Sequence, residues 1–221
     1  MVSAVITAAG KNRRMIKDLN YRGMAANHKL LMDIHGKPVI IRTIEHVLDS
    51  GVDDCVVMLG HFSDELSIVL KNFPDERLKI IENPDFNVGL SETLLNGVKN
   101  LESSLILCVA ADQPTITSKT LKKLVEKAFK YENPENIVSV LARKKEGYLE
   151  SAEGLGMPFV CHSNLLLKYL PKHKNNLNPI LRKMISDGVI FYGTPAINNL
   201  ELVNINKYQD YLYIKNNFNL F

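Results

Sequence analysis

The stretch Leu105–Pro114, LILCVAADQP, decides the fold of this 221-residue chain. Its unbroken apolar run is typical of a strand buried on both faces, as the central strands of parallel sheets are. The run is far too short to cross a bilayer, which needs roughly 20 residues, and a proline favours extended backbone in the residue before it. We therefore predict a buried strand over Ser104–Ala110, with Asp112 just beyond its carboxyl end.

Similar apolar runs alternate with segments of helical period, the pattern of β-α-β units around a mostly parallel sheet. The predicted strands are Ser3–Ala8, Asp54–Leu59, Leu78–Ile81, Ser104–Ala110, Ile137–Leu141, Met157–Cys161, Val189–Tyr192 and Leu202–Ile205. The predicted helices are one from Pro38 to its closing Gly51, then Asp64–Asn72, Ser91–Asn100, Ser118–Tyr131, Asn164–Leu170, Pro179–Ser186 and Lys207–Asn216. Two polar connections, Gly10–His28 and Lys144–Gly156, are predicted to be irregular. This order predicts an α/β fold of three layers, α/β/α, with a mostly parallel mixed sheet.

Composition bounds the rest of the architecture. A chain that is 46% hydrophobic and 23% charged can bury one sizeable core, and it carries no repeat or long linker, so we predict one domain over residues 1–221. A formal charge of +3 argues against sequence-independent nucleic-acid binding. Cys55, Cys108 and Cys161 lie far apart in or beside apolar runs, which predicts buried free thiols. With no membrane span or secretory signal in the sequence, we expect a cytoplasmic protein without membrane contact.

Small residues followed by cations come directly after the first predicted strand. Ala8, Ala9 and Gly10 would let backbone N–H groups approach a phosphate at the carboxyl end of the sheet. If the loop folds over a ligand, Arg14 and Lys29 supply two cations to one polyphosphate. The spacing matches neither a dinucleotide fingerprint nor a Walker loop, and a tight turn with solvated cations is the alternative.

Two further segments carry candidate polar groups. Asp112 stands where a strand-end carboxylate can hold a hard cation together with substrate oxygens, although it can equally cap its own turn. The segment Asn83–Ser91 combines a turn, a glycine and a helix-opening serine whose neighbouring N–H groups can bind an anion or a base edge, a combination that ordinary loops also show. The six histidines have no zinc spacing, and we expect surface or capping roles for them.

Five segments together resemble the MobA-like nucleotidyltransferases, above all the cytidylyltransferases of the molybdenum cofactor. They are Ala8–Met15, His28–Leu31 with Gly36–Pro38, Asn83–Ser91, Ala111–Pro114, and Val203–Asn206 leading into Asp210–Tyr211. The resemblance spans nearly the whole chain. It implies a Rossmann-like fold of the glycosyltransferase-A type.

The resemblance also implies a site. Arg14, Lys29 and Asp112 would be catalytic, and Asp112 with Asn204 would hold Mg²⁺. The residues implied in nucleotide binding are Ala8, Ala9, Gly10, Asn12, Arg14, Lys29, Asn83, Gly89, Leu90, Ser91 and Asp112. The alanine at position 9 resembles the branch that uses CTP. The expected acceptor is phosphorylated molybdopterin, with a molybdoenzyme or cofactor-maturation protein as a further partner.

Four departures from the family pattern bear on activity. Asn12 stands in place of Ser or Gly, Asn204 in place of a metal-binding Asp, and Met157 in place of His, while Ile16–Asn27 is longer than the usual link. An amide oxygen is a poorer Mg²⁺ ligand than a carboxylate. Two alternatives therefore stay open: a sugar- or alcohol-phosphate nucleotidyltransferase of the same fold, and a catalytically weak nucleotide- or cofactor-binding protein.

Overall fold

A computed structural model of the chain describes residues 1–143, 146–172 and 176–218. Its strands are β1 Val2–Thr7, β2 Asp33–Ile34, β3 Lys37–Pro38, β4 Asp54–Leu59, β5 Leu78–Glu82, β6 Leu105–Ala110, β7 Ile137–Ala142, β8 Gly147–Leu149, β9 Phe159–His162 and β10 Ile190–Pro195. Its α-helices are α1 Arg13–Tyr21, α2 Val39–Asp49, α3 Ser63–Leu70, α4 Leu90–Val98, α5 Ser118–Phe129, α6 Ser163–Tyr169, α7 Leu177–Ser186 and α8 Tyr208–Asn217. Short 3₁₀ turns cover Lys29–Leu31, Pro134–Asn136, Leu170–Lys172 and Asn199–Leu202.

The main sheet has eight strands in the order β5-β4-β1-β6-β9-β7-β10-β8. The first four are parallel to one another, β9 runs antiparallel between β6 and β7, and β8 is an antiparallel edge strand beside β10. β1 pairs with β6 from Val2 opposite Leu105 to Thr7 opposite Ala110. The carboxyl ends of the two strands therefore lie side by side, which brings the loop after β1 next to Asp112.

Each face of the sheet supports its own apolar core. Along β6, Leu105, Leu107 and Val109 pack with α2, α5 and α8, whereas Ile106 and Cys108 pack with α4, α6 and α7. Alternation of side chains across a strand explains this division, and each fully buried aliphatic side chain contributes about 1.5–3 kcal/mol. The predicted α/β/α layering and mostly parallel mixed sheet are confirmed.

The three cysteines confirm their prediction: all are buried and free. Burial raises the pKa of each thiol, so none of them is a nucleophile at neutral pH.

Other predictions were wrong in part. Leu202–Ile205 is not a strand: a 3₁₀ turn ends at Leu202, and the buried Ile205 gives its N–H to the Asp112 carbonyl oxygen at 2.9 Å. The connection Gly10–His28 contains helix α1, and Gly147–Leu149 inside the other predicted irregular segment forms strand β8. Helix α7 begins at Leu177 rather than Pro179, with Asn176 as its N-cap. Lys144 and His173 lie outside the described residues.

Candidate active site

A pocket of about 430 Å³ lies at the carboxyl ends of β1 and β6. Its walls come from the loop after β1, the 3₁₀ turn at Lys29, the start of α4 and the segment after the last 3₁₀ turn. The residues implied by the resemblance that line it are Ala8, Ala9, Gly10, Arg14, Lys29, Gly89, Leu90, Asp112 and Asn204. The fold therefore gathers residues from positions 8 to 204 into one volume.

The centre of the pocket is a compact polar cluster around Asp112. The Lys29 ammonium contacts Asp112 Oδ2 and also donates to the Ile205 carbonyl oxygen at 2.8 Å. Asn204 Nδ2 donates to Asp112 Oδ1 at 2.9 Å. The Lys29 and Asp112 side chains are each only 16% exposed, so their attraction is screened less than that of a surface pair. Each carboxylate oxygen thus has a donor.

Residues 199–206 hold this cluster against the sheet, and we call them the 199–206 segment. Two side chains that follow Asp112 hold the backbone of the 199–206 segment. Gln113 Nε2 donates to the Glu201 carbonyl oxygen at 3.2 Å, and Thr115 Oγ1 donates to the Leu200 carbonyl oxygen at 2.7 Å. These bonds place Asn204 and the Ile205 carbonyl beside Asp112.

Glu201 anchors the same segment to the start of α5 and to the chain at Ile197. Its carboxylate is fully buried and accepts hydrogen bonds from the Thr117 N–H at 3.0 Å, the Thr120 hydroxyl at 2.9 Å and the Ile197 N–H at 2.7 Å. A buried carboxylate is tolerated when such donors replace its hydration. A lone glutamate in a loop gives no sequence signal for this role.

The loop after β1 forms a second, smaller hollow of about 210 Å³ beside the pocket. Asn12 lines this hollow and not the main pocket. It adopts a left-handed conformation with φ 53°, which asparagine tolerates better than most residues, and its Nδ2 donates to the Asn27 carbonyl at 3.0 Å. The first N–H groups of α1 and the Lys29 side chain border the hollow, an arrangement that favours an anion.

Asn83 and Ser91, both predicted to bind nucleotide, do not reach the pocket wall. Asn83 is 2% exposed; its Nδ2 donates to the Leu59 carbonyl at 3.1 Å and to Thr93 Oγ1 at 3.2 Å, while its Oδ1 accepts from Asn96. The Asn83 side-chain amide therefore makes its hydrogen bonds within the protein. Asn83 shapes the loop that carries Gly89 and Leu90, and Ser91 is buried in the first turn of α4.

His28 lines the pocket, and the sequence did not predict this. The expected surface or capping role is wrong for this histidine, because its side chain is buried. It lines the pocket at 6% exposure, with its ring 4.3 Å from that of Phe62. Neither ring nitrogen has a hydrogen-bond partner among the described residues; the Gly10 backbone is near but outside hydrogen-bond geometry. Burial and the neighbouring Lys29 lower the pKa of His28 to about 4. It is therefore a neutral imidazole with one donor and one acceptor to offer.

The donor set defines what metal the pocket can hold. Among the described residues, no group of three or more His, Cys, Asp or Glu is placed to hold a metal ion. Mg²⁺, however, needs only one or two carboxylates when substrate phosphates and waters complete its shell. Asp112 and the Asn204 amide therefore fit an ion that arrives with a polyphosphate, and they do not fit a tightly held resident metal.

The mixed sheet and its polar pocket define the class of protein: an α/β nucleotidyltransferase fold. The chain belongs to the family of the MobA-like NTP transferase domain, whose model matches residues 4–187. A solved structure of a nucleotidyl transferase from Methanothermobacter thermautotroptrophicus has a TM-score of 0.92 and 40% identity, covering 99% of this chain and 97% of that one. The suspected family is therefore confirmed.

More distant relatives share only part of their length or only the fold. The bifunctional protein GlmU of Staphylococcus epidermidis is 25% identical over 214 residues, 96% of this chain and 43% of that protein. The chain spans less than half the length of such curated relatives. The 4-diphosphocytidyl-2C-methyl-D-erythritol synthase of Anaerococcus prevotii, at 14% identity, 99% and 96% coverage and a TM-score of 0.71, shares the fold. Among the described helices, none has the length and apolarity of a membrane span.

Proposed function

We propose that this protein is a Mg²⁺-dependent nucleotidyltransferase that transfers CMP from CTP to the phosphate of molybdopterin and releases pyrophosphate. One observation carries the proposal: the Lys29–Asp112 pair lies in the same pocket as the small-residue loop Ala8–Gly10. A cation, a metal-capable carboxylate and accessible backbone N–H groups are the parts that phosphoryl-group chemistry uses.

In this reaction an oxygen of the acceptor phosphate bonds to the α-phosphorus, and the bond from that phosphorus to the bridging oxygen of pyrophosphate breaks. Lys29 and Arg14 neutralise charge on the phosphates, and the N-terminus of α1 receives the leaving pyrophosphate. Asp112 and Asn204 would hold Mg²⁺, which would supply charge neutralisation. The protein positions both reactants in line and forms no covalent intermediate.

The finer assignments rest on separate residues. Ala9 supports CTP as donor, and the matching segments from Ala8 to Tyr211 support a molybdopterin acceptor, with a molybdoenzyme or cofactor-maturation protein as partner. The three buried free thiols support a reducing, cytoplasmic location. A second candidate, a nucleotide-binding protein with weak catalysis, is favoured by one observation: the amide of Asn204 stands where a second carboxylate would bind metal, and it donates to Asp112.

Thermal unfolding with Mg²⁺ and each of CTP, GTP, UTP and ATP tests the proposal. A ligand at about 100 times its Kd adds about 2.7 kcal/mol, and each kcal/mol raises the Tm of a domain of this size by roughly 2–4 °C. We expect the largest rise with CTP and Mg²⁺, lost in Asp112→Asn. The matched control, Asp49→Asn, changes an exposed carboxylate at the end of α2 and should keep the full rise.

Pyrophosphate release then separates the two candidates. Turnover with CTP and molybdopterin, absent in Asp112→Asn, supports the transferase and excludes a mere binding protein. A CTP-dependent rise in Tm without turnover favours the binding protein. If none of the four nucleotides raises the Tm, both candidates are wrong.

A further inference from the structure

A third hollow, of about 580 Å³, adjoins the main pocket. Leu90, Ala110, Met157 and Asn204 line both, so the two volumes share a wall. Asn204 in that wall is hydrogen-bonded to Asp112. A molecule in this third hollow would therefore have one end beside the reacting centre, and 580 Å³ is ample for a small metabolite.

Helix α7 supplies the polar side of this hollow. Asn178 and Arg182 lie four residues apart and so project from one face of the helix, and both line the hollow. The opposite face carries Ile180, Leu181 and Met184, which are fully buried in the core. The amphipathic pattern of α7 thus presents an amide and a guanidinium to the hollow.

One atom in this wall lacks a partner. Asn178 Oδ1 is buried and has no hydrogen-bond partner among the described residues. A buried acceptor without a donor costs about 1–3 kcal/mol, and rotation of the Asn178 side chain toward the hollow would let a hydroxyl or N–H group of a ligand relieve that cost. The exposed Asn176 adds a second amide at the rim of the hollow.

The charge of the wall restricts the ligand. Arg182 is the only charged residue among the described residues that line the hollow; the other lining residues are amides, Gly156 and apolar side chains such as Leu155 and Pro179. Lys29 is paired with Asp112, so among the described lining residues Arg182 is the cation that a phosphomonoester can meet in this hollow. No carboxylate or aromatic ring among those lining residues is available to hold a cationic head group.

We infer that this hollow is the acceptor subsite and that it selects phosphomonoesters with a neutral, hydrogen-bonding body over amino-alcohol phosphates such as phosphocholine. Arg182 attracts the phosphate, and Asn178 accepts a hydrogen bond from the body of the ligand. The apolar residues around Leu155 cover its flat or hydrocarbon surface. This inference rests on the proposed function, which supplies the nucleotide in the adjoining pocket.

Binding measurements on the full chain test it without requiring turnover. The protein is saturated with Mg²⁺ and the α,β-methylene analogue of the nucleotide that stabilises it most, and is then titrated with hydroxymethylpterin phosphate, glucose 1-phosphate or phosphocholine. We expect at least one of the first two to bind and phosphocholine to bind at least tenfold more weakly. Arg182→Gln should weaken binding by about tenfold or more, since a charge-assisted hydrogen bond is lost, and Asn178→Ala should weaken it several-fold.

Lys183→Gln is the matched control: it removes a positive charge from the next position of α7, where the ammonium pairs with Asp187 and does not line the hollow. It should bind the probe as the wild type does. Equal binding of phosphocholine, no binding of either neutral-bodied probe, or equal losses in Arg182→Gln and Lys183→Gln would each overturn the inference. Loss of the nucleotide-induced rise in Tm would instead contradict the proposed function, so the two failures are distinct.

Discussion

Replacing Asn204 with Asp should lower the stability of the ligand-free protein and give the site an affinity for Mg²⁺ without nucleotide. Asn204 Nδ2 lies 2.9 Å from Asp112 Oδ1, so the change converts a donor into a second negative charge at that distance. At an effective dielectric constant of about 20, two such charges repel by about 6 kcal/mol. The Lys29 ammonium on Asp112 Oδ2 offsets a large part of this repulsion.

We expect a net loss of about 2 kcal/mol at pH 7.5 without metal, or roughly 4–8 °C in Tm. Added Mg²⁺ should restore that loss in the variant, because two carboxylates then share the ion. The wild type, with one carboxylate already paired to Lys29, should change little with Mg²⁺ alone. Thermal unfolding with and without Mg²⁺, without nucleotide, measures both quantities.

Asn206→Asp is the matched control. Asn206 also lines the pocket, but its Nδ2 donates to the Asn204 carbonyl at 3.3 Å and not to Asp112. It should lose less stability and gain less from Mg²⁺. The reasoning is refuted if Asn204→Asp has the wild-type Tm without metal, or if Asn206→Asp matches it in both effects.

Three further predictions concern stability and are measured by urea unfolding. The pKa of His28 in the folded state is about 4, below its unfolded value of about 6.5, so the stability that neutral His28 contributes is lost as the pH falls from about 6.5 to 4. The free energy of unfolding of the wild type should therefore drop by about 3 kcal/mol more than that of His28→Gln over this range. Parallel pH profiles of the two proteins would contradict this. Gly97→Ala would place a Cβ 2.5 Å from Val5 Cγ1 and should cost about 1–3 kcal/mol, whereas a Cβ at Gly156 meets no described atom within 4 Å, so Gly156→Ala should cost little. Glu201→Ala leaves the donors of Thr117, Thr120 and Ile197 unpaired and should cost about 3–5 kcal/mol. Glu201→Gln keeps the shape and one acceptor oxygen and should cost less; equal costs would show that neither of these helps and that the negative charge is required.

Burial on both faces made the strands predictable. All six residues of β6 and of β7 are buried; β6 is apolar throughout, and β7 has Ser139 as its one polar residue. Such nearly continuous apolar runs are what burial on both faces requires. Once β1 and β6 are taken as parallel neighbours, the meeting of the loop after β1 with Asp112 follows from topology. The sequence therefore predicted the loop Ala8–Gly10 and Asp112 at this end of the sheet, and both line the pocket.

Helix α1, the 199–206 segment and two buried polar residues were not predicted. In α1, only Met15 and Leu19 are buried, a stripe too narrow to stand out in a charged segment. Leu202–Ile205 has the apolarity of a strand, yet side chains at Gln113 and Thr115 bind the backbone of the 199–206 segment in place of a neighbouring strand. Such long-range side-chain bonds leave no periodic signal, which is also why the role of Glu201 was not predicted. His28 has no such bond: it is buried by packing against Phe62, which is distant in sequence.

On the proposed function, the pairing of Lys29 with Asp112 would link nucleotide binding to metal binding. In the structure, Asp112 Oδ2 is held by Lys29, so a metal ion alone must displace an ammonium from its carboxylate. In the proposed function, a bound polyphosphate gives Lys29 another anion and frees that oxygen for Mg²⁺. Linkage then requires that Mg²⁺ raise the affinity for nucleotide by the same factor as nucleotide raises that for Mg²⁺. Asn204→Asp should reduce this factor, because a second carboxylate would bind the metal before the nucleotide arrives. On the proposed function, the neutral Asn204 would thus make metal binding conditional on the nucleotide.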